Sequence, residues 1–340
     1  MTTRIRLATG ALTALCAIAL FVQAAGSATV TAHLRVLTPD RVLDPGTTYI
    51  VDEGVTVPTR PDADCFGPPG GSGTEFTYDK PNALSLLATA GRTTKAVSPL
   101  SLTDQFGFGL GICGIGGIAA KSGESFWYFK ANHEEASVGA DQLEIHNGDE
   151  VLFYLAPDDF PNPNPAELEL KAPPRAKAGQ PFTVSVIEHK CVTDQNTGET
   201  TCTSGPAAGA SVSGGGLPVQ TGADGTAQVS VADVSAATLA ATRGTDIPSE
   251  ALATCVGPEA DSCPAERGIT LVGSPQGDSI KGTAGDDSIR SRGGDDNVDL
   301  RKGGADQVNC GKGDDTVRIK RKFANDGLVI KGSCERVRRT

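Results

Sequence analysis

The chain has 340 residues, with 42 glycines, 21 prolines and only 5% aromatic residues. This length allows two or three domains, and the glycine and proline content favours many short strands and turns over long helices. The formal net charge is −11, but residues 273–340 hold 14 Lys/Arg against 11 Asp/Glu, so the first 272 residues carry −14; such an acidic surface favours solubility and argues against specific nucleic-acid binding.

Residues 1–28 have the features of a secretion signal peptide. Arg4 and Arg6 supply positive charge, residues 12–22 form a short apolar core, and small residues at 24–28 offer a cleavage site. The apolar run is too short to span a bilayer comfortably, and no later segment is long and apolar enough to do so. We therefore predict a secreted, extracellular protein without a transmembrane anchor.

Nine cysteines are present, and one of them, Cys16, lies in the predicted signal peptide. The other eight are an even number in an exported chain, which predicts disulfide bonds. Spacing alone leaves the connectivity open. Proximity in the sequence favours four pairs, namely Cys65 with Cys113, Cys191 with Cys202, Cys255 with Cys263, and Cys310 with Cys334.

The first predicted domain covers residues 29–157. Alternating residues at 30–36 predict a strand, and apolar residues at helical spacing before a glycine predict a short helix over 82–91. Aromatic residues at 126–129 and the segment 150–155 after a Gly-Asp turn predict two further strands. This order indicates a β-sheet with one helix packed on it.

The same domain resembles a known family through its motifs. After the helix and a Gly-rich stretch come Trp127-Tyr128-Phe129-Lys130-Ala131-Asn132 and then Gly148-Asp149-Glu150-Val151. This order resembles the small domain related to the C-terminal domain of transcobalamin, often described as a domain of unknown function. The resemblance implies a β-grasp-like α+β fold, and in cobalamin carriers that domain contacts the corrinoid together with a large helical domain that this chain lacks. Trp127 and Asn132 are therefore candidate ligand-binding residues; the alternative, which we favour, makes Trp127 a core residue and Asn132 a turn cap.

A stiff run of alternating proline and asparagine marks residues 158–165 as a linker, and residues 166–256 are predicted to form a second domain. Apolar residues alternate in short segments separated by turns, as in a β-sandwich. Asp224-Gly225-Thr226-Ala227 resembles a turn of bacterial immunoglobulin-like repeats, which implies an Ig-like β-sandwich acting as a spacer. We predict a hairpin turn at 222–226, and a second, long hairpin joined by Cys191 and Cys202.

After a cysteine-bounded link at residues 257–267, the last segment, 268–340, repeats itself. An Asp-x-aliphatic unit occurs five times, at steps of 9, 9, 10 and 9 residues, and each unit follows a glycine. A nine-residue Gly/Asp/aliphatic period is the signature of a calcium-loaded parallel β-roll. The predicted metal ligands are Asp278, Asp287, Asp296, Asp306 and Asp315.

These units resemble haemolysin-type, or RTX, calcium-binding repeats, in which two repeats make one turn of the roll. The resemblance implies that each Ca²⁺ is shared between repeats n and n+2, at the pairs 278/296, 287/306 and 296/315. Carboxylates and turn carbonyls are the hard oxygen ligands that Ca²⁺ prefers.

The repeats depart from the family pattern in two ways. Ser291-Arg292 and Arg301-Lys302 stand where paired glycines are expected, and one extra residue between Val298 and Val308 predicts a bulge. Only five aliphatic residues form the predicted core, so ion binding is expected to supply much of the folding free energy of the roll. The alternative is a metal-free roll or a disordered Gly/Asp tail.

The end of the chain resembles the ending of actinobacterial secreted proteins that carry such repeats, with Cys310 in a late repeat and Cys-Glu-Arg-Val at 334–337. The resemblance implies a Cys310–Cys334 bond that caps the open end of the roll. Basic residues at 320–322 and 336–339 give this end a positive charge, which suits an anionic cell-surface polymer or is simply a solvated face.

No catalytic motif is visible. The four histidines form no HExxH pair, and no G-x-S-x-G elbow occurs. The sequence therefore predicts a secreted, non-enzymatic modular protein that binds Ca²⁺ and recognises a partner outside the cell. Two alternatives stay open, a carrier of a small, corrinoid-like ligand through the first domain and an extracellular enzyme with an unrecognised site.

Overall fold

The structure, a computed structural model, describes residues 29–107, 109–158, 164–194, 196–323, 327–332 and 334–340. The predicted signal peptide and the centre of the predicted linker lie outside these residues. Within them the fold contains one α-helix and many short strands, which confirms a mostly β, multidomain class. No helix in this described part is long and apolar enough to cross a membrane.

The first domain is built on a mixed sheet with one helix against it. Its strands and helix are β1 Val30–Thr38, β2 Arg41–Val51, β3 Val55–Pro58, β4 Glu75–Tyr78, α1 Ala83–Thr93, β5 Leu100–Thr103, β6 Gly111–Ile115, β7 Ile118–Ala119, β8 Ser125–Ala131, β9 Glu134–Glu135 and β10 Glu150–Pro157. Strand β1 pairs antiparallel with β2 and parallel with β10, and β8 pairs antiparallel with β10. The two predicted strands at 126–129 and 150–155 are therefore direct neighbours in the sheet.

Helix α1 confirms the predicted helix and extends it by two residues. Asn82 caps its N-terminus, because the Asn82 side chain accepts from the Ser85 N–H and the Ser85 hydroxyl accepts from the Asn82 N–H, both at 2.7 Å. Residues 83–90 are all buried, since the helix is covered by the sheet on one side and by the loops around β5 and β6 on the other.

The second domain is a sandwich of two sheets. Its strands are β11 Glu167–Lys171, β12 Arg175–Lys177, β13 Phe182–Thr193, β14 Thr200–Pro206, β15 Ser211–Ser213, β16 Val219–Gln220, β17 Thr226–Val229, β18 Ser235–Thr242 and β19 Leu252–Gly257. One sheet contains β11, β13, β14 and β17, and the other has the order β12-β19-β18-β15-β16. Their facing apolar side chains form one core.

One hairpin prediction is confirmed and the other is wrong. Cys191 and Cys202 are direct partners in the β13–β14 hairpin. The predicted turn at 222–226 exists, since Gly222 N–H donates to the Thr226 carbonyl at 2.8 Å. However, β16 before it pairs with β15 and β17 after it pairs with β13. The turn therefore carries the chain from one sheet to the other, where each strand buries its apolar face.

The last segment is a stack of short parallel strands that alternate between two sheets. They are β20 Thr270–Val272, β21 Ser279–Lys281, β22 Ser288–Arg290, β23 Asn297–Asp299, β24 Gln307–Asn309, β25 Thr316–Ile319, β26 Val329–Lys331 and β27 Arg336–Arg339. Each strand pairs in parallel with the strand two units away, so one sheet has β20-β22-β24-β26 and the other β21-β23-β25-β27. This is the short parallel β-roll that the nine-residue period predicts.

Close stacking of the coils requires glycine in the turns. Gly294 has φ +90°, and a Cβ added there would lie 2.2 Å from the carbonyl carbon of Gln276 in the preceding coil. Only a residue without a side chain fits this approach without strain. The glycines of the repeat therefore set the spacing that brings the aspartates of successive coils together.

The roll does not stand apart from the first domain. Its first strand, β20, pairs in parallel with β2 through Thr48↔Leu271 and Tyr49↔Val272, so one nine-stranded sheet runs from β9 to β26. The core of the roll contains the five repeat aliphatics, but Ile50, Leu271, Leu300, Cys310 and Ile319 are buried with them. The estimate of a five-residue core is therefore wrong, because the sequence does not show that a strand of the first domain closes one end.

All four predicted disulfide bonds are present, linking Cys65–Cys113, Cys191–Cys202, Cys255–Cys263 and Cys310–Cys334. Each bond joins residues at most 48 positions apart. Proximity in the sequence was therefore a sufficient guide to connectivity in this chain.

Candidate functional site

The five repeat aspartates form two columns along the roll. Each one directly precedes a strand, so its position repeats from coil to coil. Asp278, Asp296 and Asp315 precede β21, β23 and β25 on one edge, while Asp287 and Asp306 precede β22 and β24 on the other. All five side chains are buried, with relative exposures between 0% and 6%. The pairs expected from two repeats per turn are therefore neighbours in space.

The carboxylates are tied to the backbone of the preceding coil. Asp296 Oδ1 accepts from the Asp278 N–H at 2.8 Å, and Asp315 Oδ1 accepts from the Asp296 N–H at 2.9 Å. On the other edge, Asp306 Oδ1 accepts from the Asp287 N–H at 3.0 Å. One oxygen of each of these three aspartates thus joins two coils.

The hydrogen bonding of the second carboxylate oxygen differs between the first aspartate of each column and the later ones. Both oxygens of Asp278 accept hydrogen bonds from Ser274, and both oxygens of Asp287 accept from Ile269 or Thr283. By contrast, Asp296 Oδ2 and Asp315 Oδ2 are buried without a hydrogen-bond partner. A buried carboxylate oxygen is costly to leave unpaired, so Asp296 and Asp315 each keep one oxygen that can accept a further donor or a cation.

Burial also makes these carboxylates hard to ionise. Burial raises the pKa of Asp296 to about 6; the Ser291 side chain and the Asp278 N–H act against this rise, and repulsion from Asp278 and Asp315 adds to it. Burial raises the pKa of Asp306 to about 7, with additional repulsion from Asp287 and Asp286. Desolvation and like charges therefore act together, and a bound cation relieves both.

The departures from the repeat pattern are absorbed in the turns. Arg292 has φ +78° and takes the left-handed conformation that a glycine takes elsewhere. The extra residue lies in the turn after β23, where the Gly303 N–H donates to the Leu300 carbonyl at 3.2 Å. Because this turn is outside the strands, β22 and β24 stay in register. The predicted bulge is thus a longer turn.

The last coil replaces the repeat aspartate by a glutamate. Glu335 precedes β27, and its Oε2 accepts from the Asp315 N–H at 2.9 Å, which continues the column by one step. Arg336 forms an ion pair with Asp314. The side chains of β27 are exposed, so the basic end of the chain faces solvent.

The two candidate ligand-binding residues of the first domain have structural environments. Trp127 is 8% exposed, lies in the core, and its Nε1 donates to the Ile118 carbonyl at 3.1 Å. Asn132 has φ 52°, its Nδ2 donates to Asp149 Oδ1 at 3.0 Å, and its Oδ1 accepts from the Glu150 N–H at 3.0 Å. It therefore lies in the turn between β8 and β9 and ties that turn to the start of β10, and neither Trp127 nor Asn132 lines the charged cavity between the first two domains.

A charged cavity of about 150 Å³ lies where the first and second domains meet. Its walls come from β1, β8 and β10 on one side and from β11 and the segment before β19 on the other. Most of its lining side chains are ionisable, including Arg35, Lys130, His133, Glu150, Glu167 and Glu169. Lys130 is fully buried, and burial lowers its pKa.

Two histidines meet beside this cavity, one from each domain. The rings of His133 and His189 stack with centroids 4.0 Å apart and an interplanar angle of 7°. His133 Nδ1 lies 3.2 Å from Glu167 Oε1, and this hydrogen bond raises the pKa of His133. Burial lowers the pKa of His189, whose Nε2 lies 3.0 Å from Glu169 Oε2.

No pattern in the sequence predicted this cluster of histidines and glutamates. The histidines are 56 positions apart by number and fall on different domains, so no local spacing connects them. The only local signal is that Glu167 and Glu169 alternate with leucines on β11. Alternation places both carboxylates on one face of the strand, but it does not say what that face meets.

One family model matches part of the chain. The domain of unknown function DUF4430 matches residues 103–156, a stretch that runs from the end of β5 to β10 and includes the Trp127 and Asn132 motif. The match lies within the second half of the first domain and does not extend to the sandwich or the roll. Comparisons with curated proteins and with solved structures find no match.

Proposed function

We propose that this protein is an exported, non-enzymatic binding protein whose C-terminal roll takes up Ca²⁺, first of all between Asp296 and Asp315. Four disulfide bonds support export, because such bonds form and persist in oxidising compartments. The resemblance of the repeats to RTX units supports calcium as the ion.

The observation that carries the proposal is the pair of buried, unpartnered oxygens on neighbouring coils, Asp296 Oδ2 and Asp315 Oδ2. Their partner oxygens already bond to the backbone, so the carboxylates are held in place before an ion arrives. Calcium takes six to eight oxygen ligands with flexible geometry, and turn carbonyls of the adjoining coils supply the rest. The 287/306 edge is a weaker candidate, because both oxygens of Asp287 are already hydrogen-bonded.

Calcium would act in this protein as a stabiliser of the roll. The coils already stack through their backbone and a shared core, so the ion neutralises the acidic edge of a roll that is docked on the first domain. Since extracellular calcium modules bind with dissociation constants on the order of 10⁻⁴ to 10⁻³ M, the roll would be loaded outside the cell and empty inside it.

The carrier alternative rests on the DUF4430 match alone, since Trp127 and Asn132 are occupied by core packing and turn closure. Within the proposal, the sandwich is a spacer, and the first domain and the basic end of the roll are the surfaces left for recognition. The basic end suits an anionic cell-surface polymer.

The test is calorimetric titration of the full chain with Ca²⁺, compared with Asp315→Asn. Wild type is expected to bind with a dissociation constant in the range given above, and Asp315→Asn is expected to weaken binding by at least about tenfold, because a neutral amide replaces a charged ligand. Asp299→Asn is the matched control. Asp299 is the last residue of β23, in the same coil as Asp296, but it is paired with Arg301 outside the columns.

Asp299→Asn is expected to bind calcium as wild type does. Absence of calcium binding by wild type at millimolar concentration would refute the proposal. Equal weakening by Asp299→Asn and Asp315→Asn would also refute it, because the effect would then reflect net charge and not the column.

A further inference from the structure

The contact between the first and second domains contains a set of side chains typical of transition-metal sites. One ring nitrogen each of His133 and His189 and one oxygen of Glu169 lie within 4.8 Å of one another. His133 comes from the turn after β8, Glu169 from β11 and His189 from β13. The three groups therefore converge from two domains.

The position of His133 is held by an uncommon backbone conformation. His133 has φ 69° and the residue before it, Asn132, has φ 52°. Residues other than glycine seldom adopt positive φ, and two in succession need fixation by their surroundings. Here the Asn132 side chain bonds to Asp149 and Glu150, so the turn directs the His133 ring onto the second domain.

Each ring has one nitrogen engaged with a group that would orient it toward an ion. His133 Nδ1 lies 3.2 Å from Glu167 Oε1, and His189 Nδ1 lies 2.8 Å from Ser204 Oγ. Such contacts on the far nitrogen are the usual support of metal-bound histidines. Both Nε2 atoms face a carboxylate, since His133 Nε2 lies 3.6 Å from Glu150 Oε2 and His189 Nε2 lies 3.0 Å from Glu169 Oε2.

A further buried oxygen at this place lacks a partner. Glu167 is 3% exposed, and its Oε2 has no hydrogen bond although Oε1 contacts both His133 and Arg35. Four carboxylates, those of Glu150, Glu167, Glu169 and Glu250, line the same cavity. Their negative charge exceeds that of the two fixed cations there, Arg35 and Lys130, so a divalent ion is electrostatically tolerated.

We propose that His133, His189 and Glu169 bind Zn²⁺, or a divalent ion of similar preference, and that this ion fastens the first domain to the second. Two imidazoles and one carboxylate are the donor set of zinc sites with an open fourth position, whereas Ca²⁺ prefers oxygens alone. Binding moves the His189 proton from Nε2 to Nδ1, where it is donated to Ser204 Oγ, so that His189 binds the ion as a neutral imidazole.

Zinc binding requires one of the two histidine rings to move. Ligands lie about 2 Å from zinc, and their donor atoms lie about 3.3 Å from one another. The stacked rings do not yet point their lone pairs at one centre, so one ring has to turn about its Cβ–Cγ bond. His133 is the more exposed ring, at 25% against 10% for His189, so it turns while His189 stays fixed, and this turn lengthens the 3.2 Å contact between His133 Nδ1 and Glu167 Oε1.

The test uses the full chain with saturating Ca²⁺, so that the roll is occupied and does not compete for the added ion. Calorimetric titration with Zn²⁺ is expected to show one site per chain. His133→Gln and Glu169→Gln are expected to weaken it by at least about tenfold, the lower end of what even outer contacts of metal ligands contribute.

The matched control is His146→Gln, because His146 is 74% exposed and paired only with Asp149 on the surface of the first domain. It is expected to bind zinc as wild type does. X-ray absorption of the 1:1 complex is expected to show two imidazole nitrogens bound to the metal.

Two results would overturn the proposal. One is the absence of zinc binding by wild type with folding intact by circular dichroism. The other is loss of zinc binding in His146→Gln with retention in His133→Gln, which would place the ion on the exposed histidine.

Discussion

Removing the charge of Asp296 is expected to have opposite effects with and without calcium. Asp296 is 2% exposed, and burial with repulsion from Asp278 and Asp315 raises its pKa from 3.8 to about 6. A difference of about 2 pH units corresponds to about 3 kcal/mol that the ionised carboxylate costs the folded state. Asp296→Asn removes this cost in the metal-free protein at pH values above the folded pKa.

Part of the gain is lost to the amide that replaces the carboxylate. Asn Oδ1 can still accept from the Asp278 N–H, as Asp296 Oδ1 does at 2.8 Å. The amide nitrogen takes the position of the unpartnered Oδ2, and a buried donor without a partner costs about 1 kcal/mol or more. The expected net stabilisation of the metal-free protein near pH 8 is therefore about 1–2 kcal/mol.

The sign depends on pH in a defined way. A carboxyl with a raised folded-state pKa contributes stability that is complete below its unfolded pKa of 3.8 and is lost as pH rises through about 6. The variant should therefore lose its advantage on acidification to about pH 4. With calcium, wild type should gain stability and the variant should not. The stability advantage of the variant at pH 8 should therefore shrink or reverse.

Urea unfolding followed by circular dichroism, with a chelator and with millimolar calcium, measures all four combinations. Asp299→Asn is the control, because the hydrogen bond from Arg301 lowers the pKa of Asp299 to about 2 and its loss should give a small destabilisation that calcium does not change. If metal-free Asp296→Asn is less stable than wild type at pH 8, burial of an uncompensated charge is not the property that governs this column.

Three further outcomes are expected. Replacement of both Cys310 and Cys334 by serine should lower the free energy of unfolding by about 3 kcal/mol in chemical denaturation, because the bond closes a loop of 24 positions and so restricts the unfolded chain. An unchanged denaturation midpoint would contradict the capping role. Burial lowers the pKa of His33, but the hydrogen bond and charge of Glu250 outweigh burial and leave that pKa raised. The stability that wild type has over His33→Gln should therefore be complete below pH 6.5 and should shrink as pH rises above it. Trp127→Phe should lower the free energy of unfolding by about 1–3 kcal/mol, as expected for a buried side chain that loses volume and a hydrogen bond, without changing the calcium titration; a changed calcium affinity would contradict the purely structural position of Trp127.

Much of the fold could be predicted because its signals are local. Alternation of apolar residues predicted β1, aromatic residues and a Gly-Asp turn predicted β8 and β10, and apolar residues at helical spacing before a glycine predicted α1 almost to its ends. The disulfide bonds followed from proximity, since each closes a loop within one part of the chain. The nine-residue period predicted the roll and its two aspartate columns, because every coil repeats the same short-range geometry.

Other features depend on contacts that no short pattern contains. The turn at 222–226 has the residues of a hairpin, yet its strands lie in different sheets because each one buries its apolar face there. The two buried oxygens without a partner belong to Asp296 and Asp315. The first aspartate of each column has no such oxygen, because Ser274 and Thr283 donate hydrogen bonds to it.

The sequence by itself determined the mostly β class, the helix, the disulfide pairs and the column of aspartates in the roll. Only the tertiary structure decided that β20 continues the sheet of the first domain through β2, and that His133, Glu169 and His189 meet between two domains. The physical reason is the same in both cases. Repeats, caps and alternation act over a few residues, whereas the docking of one domain on another is set by matching surfaces formed only after each has folded.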